Sequence, residues 1–153
     1  QHTRKNKRKV IRVKKIETDL ELQEAFKIRE IVFIDEQECP PEEEFDGLDD
    51  ESIHFIAYIT DEPVGTSRYR TTDKGVKLER FAVLKEHRGK GVGKRLVQTA
   101  IVQIAATFEA GTLLYMHAQL DAMPLYARYG FEKVGDKFVE AGIEHFLMKK
   151  TLS

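Results

Sequence analysis

Residues 76–108 read VKLERFAVLKEHRGKGVGKRLVQTAIVQIAATF, and three patterns follow one another within them. Residues 76–84 are apolar-rich and bounded by Asp73-Lys74-Gly75 in front and Lys85-Glu86-His87 behind, which predicts a strand. From Leu96 onward Val97, Ala100, Ile101, Ile104, Ala105 and Phe108 recur at helical spacing. Between strand and helix lies Arg88-Gly89-Lys90-Gly91-Val92-Gly93-Lys94. Its glycines let the backbone approach a ligand with no Cβ in the way. The helix that opens there leaves free N–H groups and a positive dipole end at the turn. Arg88, Lys90, Lys94 and Arg95 add positive charge. Such a unit is a site for a phosphate-bearing ligand. A plain glycine turn with solvated cations would account for the charges, but not for the agreement of strand, turn and helix.

Spacing narrows the ligand. A nucleoside-triphosphate loop needs four residues between its first glycine and the Gly-Lys pair, then a hydroxyl. Here three residues separate Gly89 from Gly93-Lys94, and Arg95 takes the hydroxyl position. A dinucleotide fingerprint would need glycine where Lys94 stands, and an early strand in a βαβ unit. What fits is arginine-x-x-glycine-x-glycine, present as Arg88 to Gly93. With its preceding strand, that pattern resembles the acetyl-CoA pyrophosphate loop of the GNAT N-acetyltransferases.

The chain has 153 residues, enough for one domain with a real core and too few for two. A net charge of -1 argues against a surface given over to nucleic acid, although the distribution is uneven. Residues 4–15 carry eight Lys or Arg and no acid, whereas residues 17–62 are heavily acidic. The single cysteine, Cys39, excludes an intrachain disulfide and is compatible with a reducing, cytoplasmic compartment. No apolar run approaches membrane-spanning length, so no membrane association is expected.

Residues 1–8 are expected to form a disordered basic arm, and residues 9–153 a single domain. Residues 9–16 alternate as a first strand. Thr18 and Glu21 form a capping box that opens a helix burying Leu22, Ala25, Phe26, Val32 and Phe33. Arg29 falls in the same stripe, and a guanidinium there needs a carboxylate or a ligand. A salt bridge to the acidic segment is the preferred reading. Residues 35–51 form a loop or broken helix, too acidic for core, and either a solvated face or a lip that recruits a cationic amine. Residues 53–59 and 64–71 form two strands, leading through a turn into the Val76 strand. Beyond the long helix come a strand at 113–119 and a short helix with Asp121 as N-cap, ended by Gly130. Closing strands follow at 131–138 and 145–151. The order describes an α+β domain with a central mixed, mostly antiparallel sheet flanked by helices.

The resemblance then extends over nearly the whole chain. Arg29 with Val32-Phe33 and Glu36-Gln37, Glu44, Asp46, Asp49 and His54, and Val64-Gly65-Thr66 with Arg68 are similar to the YjcF- and ElaA-like branch of the GNAT superfamily. So are Leu78-Glu79-Arg80, His117-Ala118-Gln119, Leu125-Tyr126, Gly130-Phe131 and residues 140–145. Such a member transfers acetyl from acetyl-CoA to a primary amine of a small molecule by direct attack. The resemblance implies that backbone amides from Arg88 through Gly89, Lys90, Gly91, Val92, Gly93 and Lys94 cradle the pyrophosphate. It places Phe81, Ala82 and Val83 along the cofactor, with the Val83 N–H polarising the thioester as an oxyanion hole does. Gln119 and Tyr126 complete the cofactor contacts.

Two proton transfers remain. Glu79 shares a strand face with Phe81 and Val83, an apolar setting that would raise its pKa to about 6–7 and suit a general base. Pairing with Arg68 or Arg80 is the alternative. Tyr126 has the family spacing before Gly130-Phe131 for the acid that protonates the departing thiolate, although Leu125 and Tyr129 also suit a core aromatic. Arg29, Phe33, Glu36, Gln37, His54, Arg68, His117 and His145 are candidate acceptor contacts. The histidines lack metal-ligand spacing, so no metal site is expected. A homodimer is compatible with the resemblance. A non-catalytic acyl-CoA sensor, or a nucleic-acid module using the basic arm, are rival readings; the arm lacks interleaved aromatics for stacking on bases.

Overall fold

The strand–turn–helix unit lies at the centre of the molecule. A computed structural model describes residues 10–153; the expected arm over residues 1–8 lies outside the described residues. Seven strands form one sheet: β1 (Ile11–Lys15), β2 (Ile53–Ile59), β3 (Glu62–Thr72), β4 (Gly75–Val83), β5 (Leu113–Gln119), β6 (Glu132–Glu140) and β7 (Ile143–Thr151). Their order is β1-β2-β3-β4-β5-β7-β6, and every neighbouring pair is antiparallel except β4 with β5. This is the mixed, mostly antiparallel sheet expected.

That parallel pair is short. β4 and β5 match only at Val76–Leu114 and Lys77–Tyr115. Beyond those two positions the strands part, leaving an opening in the middle of the sheet. A bulge deepens the bend: Arg80 takes a φ of 60°, and the register against β3 shifts between Thr66 and Arg68.

Helices α1 (Asp19–Arg29), α2 (Pro41–Glu44), α3 (Val92–Thr107) and α4 (Met123–Arg128) flank the sheet. α1 opens with the expected box: the Thr18 hydroxyl accepts from the Glu21 N–H at 3.2 Å, and Glu21 accepts from the Thr18 N–H at 3.1 Å. Thr18→Ala is expected to cost about 1 kcal/mol in urea unfolding. α1 continues directly into a π-helical segment, Glu30–Glu36. Its apolar face meets the sheet through Ile28, Val32 and Phe33, while α3 covers the opposite face with Leu96, Val97, Ala100 and Ile104. Close packing of α3 depends on Gly65, where a Cβ would lie 2.9 Å from Val92 Cγ1 and 3.1 Å from the Ala82 carbonyl.

Two local expectations change. Asp121 does not cap the short helix, because a 3₁₀ turn, Leu120–Ala122, winds it inside the helical segment. The acidic segment is not all surface: Glu44 is 3% exposed. Its partners explain that burial.

Candidate active site

Gly91 caps α3 in the left-handed conformation, φ 91°, which a side chain would resist. The first helical bond is Arg95 N–H to the Gly91 carbonyl at 3.1 Å, so the Val92, Gly93 and Lys94 amides precede any intrahelical acceptor. Nothing lies within 4 Å of where a Gly89 Cβ would sit. The turn is an open cradle of N–H groups, and a diphosphate fits it.

Arg88 plays a different part from a mobile cation. Its guanidinium makes a two-pronged pair with Glu36, at 2.6 and 2.7 Å, and its Nε donates to the Val83 carbonyl at 2.9 Å. The hydrogen bond from Arg88 holds the Glu36 carboxyl below the usual range. Glu36 is therefore a clasp on the cradle arginine.

Val83 sits at the mouth of the opening. The Leu84 N–H donates to the Val64 carbonyl at 2.9 Å, which makes Gly65–Val83 a non-hydrogen-bonded pair of the β3–β4 ladder. The N–H and C=O of Val83 thus point away from β3, into the gap. Ala82, by contrast, is 3% exposed and belongs to the core.

At the other end of the gap lies a cavity of about 380 Å³. It gathers Phe33, Gln37, Glu79, Phe81, His117, Gln119, Tyr126 and His145 from five separate stretches of chain. The Gln119 amide donates to Gln37 at 3.0 Å, bridging β5 to the residue after the π-helical segment. Tyr126 packs at 5.6 Å from the Phe81 ring, and burial raises its pKa, so the phenol keeps its proton at neutral pH. His117 Nδ1 is 2.9 Å from Oε1 of Glu140, the last residue of β6. That hydrogen bond, helped by the charges of His117 and Lys77, holds Glu140 below the usual carboxylate range. His145 bonds the Ile143 carbonyl through Nδ1 at 2.7 Å and stacks on Phe138.

The sequence profile of the acetyltransferase (GNAT) domain family matches residues 23–152. The chain belongs to the GNAT acetyltransferase family. The Bacillus subtilis (strain 168) N-acetyltransferase YjcF, itself uncharacterised, is 42% identical over 131 residues, covering 85% of this chain and 92% of that one. Escherichia coli ElaA has the same fold at a TM-score of 0.82 with 25% identity, covering 92% of this chain and 99% of that chain. A GNAT family acetyltransferase from Elizabethkingia anophelis with acetyl-CoA bound shares the fold alone, at a TM-score of 0.70 and 16% identity, over 93% of this chain and 98% of that one. Membership of the YjcF/ElaA-like branch agrees with the resemblance. No described helix of this GNAT enzyme is long and apolar enough to cross a membrane.

The GNAT fold does not give Glu79 the apolar setting expected of it. Arg68 Nε donates to Glu79 at 2.8 Å, Arg70 Nε at 2.7 Å, and Lys77 Nζ lies at 3.3 Å. Burial pushes the carboxyl up, but Arg68, Arg70 and Lys77 outweigh it and leave the pKa at about 2. A carboxylate held so acidic takes no proton from an amine near neutral pH, so the base with a raised pKa is withdrawn.

Three further candidates lie beneath the cavity. Arg29 is 1% exposed and paired with Glu44 and, at 2.7 Å, with Asp49. Arg68 is equally buried, bonded to Asp46 at 2.8 Å and Asp49 at 2.7 Å. His54 Nε2 is 3.0 Å from the Asp49 carbonyl, and burial lowers its pKa. None of these three lines the cavity. The preferred salt-bridge reading of Arg29 holds. Of the acidic segment, Glu44, Asp46 and Asp49 are committed to arginines, whereas Glu43 is exposed and lines the cavity.

The candidate site residues named from the sequence did not include Arg70, Lys77, Arg80 or Glu140, all of which line the cavity. Arg70 and Lys77 carried a usable signal: each stands two residues from a named candidate, Arg68 or Glu79, hence on the same strand face. Glu140 opens the stretch 140–145 that carries the resemblance, but its pairing had no local signal, since its partner lies 23 residues away.

Proposed function

We propose that this GNAT enzyme transfers acetyl from acetyl-CoA to a primary amine of a small molecule by direct attack in a ternary complex. The observations that carry the reading are the amide turn at Gly91, with Gly93 lying against Val83 and Leu125, the parting of β4 from β5, and the cavity lined by Tyr126. Acetyl-CoA supplies the activated acyl group. The Val92, Gly93 and Lys94 amides hold its diphosphate, and the Val83 N–H polarises the thioester carbonyl.

The base is His117. Glu140 accepts from Nδ1–H, which fixes the tautomer and leaves the Nε2 lone pair for the amine. The freed amine bonds to the carbonyl carbon, the C–S bond breaks, and the thiolate takes a proton from the Tyr126 hydroxyl. The acylated nitrogen sheds its surplus proton, which restores the Tyr126 hydroxyl by way of solvent; acetyl amide and free CoA thiol leave, and His117 returns its proton to solvent. Glu79 acts from behind, holding Arg70 and Lys77 in place.

Acetyl-CoA is expected to raise the melting temperature by several degrees, and thiol release should appear on part of an amine panel. Tyr126→Phe should slow that release roughly 10²- to 10⁴-fold without weakening the acetyl-CoA shift. A shift with no release on any amine would favour a sensor.

A further inference from the structure

Apart from Glu43, which is exposed, and Glu140, which pairs with His117, the charged groups under and around the cavity divide into two sets. Arg29, Arg68 and Arg80 meet Glu44, Asp46 and Asp49, three cations against three carboxylates, and these close on one another. Outside this block stands Glu79, which receives Arg70 and Lys77 as well as Arg68. One carboxylate therefore answers two cavity-lining cations that have no other carboxylate within ion-pair distance among the described residues, although the charge of Lys77 also reaches Glu140. Among the described residues Arg70 hydrogen-bonds through Nε alone, so its two terminal nitrogens keep their protons free. The Arg70 and Lys77 side chains are 18% and 15% exposed, and both face the cavity. Cations so far removed from water favour an anionic partner, and a guanidinium with its outer edge free matches a carboxylate or phosphate.

Glu140 closes β6, and His117 stands on β5 two residues beyond Tyr115, which is in register with Lys77. A molecule in the cavity meets the two donors together with an imidazole and its carboxylate.

We propose that the acceptor is an amine that also carries an anion, a carboxylate or a phosphate, with the anion bound by Arg70 and Lys77 and the amine presented to His117. The proposal rests on the acetyl-CoA-dependent reading above and names its substrate class. It replaces the cationic acceptor that the acidic segment suggests.

The test is a matched panel with acetyl-CoA and the full chain. ω-Amino carboxylates from glycine to 6-aminohexanoate are compared with their amides, phosphoethanolamine with ethanolamine, and putrescine stands as the dication. The best anionic amine should exceed its neutral partner in kcat/KM by about 10- to 100-fold, as a charged hydrogen-bonded contact provides. The carboxylate and phosphate arms tell which anion it is. In Arg70→Gln and in Lys77→Gln that ratio should collapse, through KM. A preference for putrescine or the neutral partners overturns the proposal, as does a ratio that both variants leave untouched.

Binding is read separately, from the melting shifts given by N-acetylated amino carboxylates and N-acetylphosphoethanolamine against those of the N-acetyl amides and N-acetylethanolamine. A larger shift for the anion, lost in both variants, supports the site; equal shifts reject it. Absence of an acetyl-CoA shift would sink the cofactor reading alone, since the acid–amide difference needs no cofactor.

Discussion

His117→Gln is expected to slow thiol release from acetyl-CoA by roughly 10²- to 10⁴-fold, with the acetyl-CoA melting shift retained. Glutamine keeps the size and the polar contact with Glu140 but offers no lone pair of useful basicity. Glu140→Gln should give a smaller loss, because the imidazole remains and only its tautomer is no longer held by a carboxylate at 2.9 Å. Glu79→Gln separates this assignment from the one it replaces. A group with a pKa of about 2 is already ionised throughout the working range, so neutralising it should leave any acid limb of the pH–rate profile in place. If His117→Gln turned over at the wild-type rate, the histidine assignment would be wrong while the cradle at Gly91 stood.

The second large effect is on stability. Arg68→Met should destabilise the fold by about 3–5 kcal/mol near neutral pH, because it leaves the poorly hydrated Asp49 and Glu79, and Asp46 at the surface, without their shared cation. Acid should narrow that gap. Burial raises Asp46, but the hydrogen bonds from Arg68 and the Leu48 N–H, with the charges of Arg68 and Arg80, together outweigh it and hold it at about 2, and Glu79 is held at about 2 likewise. Both values lie below the ordinary carboxylate pKa of about 4 that the unfolded chain has. As pH falls, the unfolded chain binds protons first, so the stability these carboxylates contribute is complete above about pH 5 and lost toward pH 2. Without Arg68 the same carboxyls titrate higher and are relieved by protonation. Urea midpoints measured from pH 7 down to pH 3 should show wild type falling and the variant converging on it; parallel curves would mean that Arg68 does not govern their ionisation.

What could be read along the chain was what short-range chemistry controls. The Thr18 cap, the alternation of the strands, the turn glycines and the helix from Gly91 each depend on neighbours a few residues away, and family membership follows from such motifs kept in order. Tyr126, His117 and Gln119 could be named for that reason. Ionisation and pairing belong to a different range. Glu79 takes its acidity from Arg68, eleven positions back on β3; Arg88 is claimed by Glu36 across 52 positions, and His117 by Glu140 across 23. Charge interactions fall off with distance in space, whatever the separation in sequence. Only when the sheet brings β3, β4 and the acidic segment into one block does a carboxylate on an apolar-looking strand become a fixed anion. Sequence alone was enough for the GNAT scaffold and its cofactor turn; the tertiary arrangement decided which side chains remain free to do chemistry there.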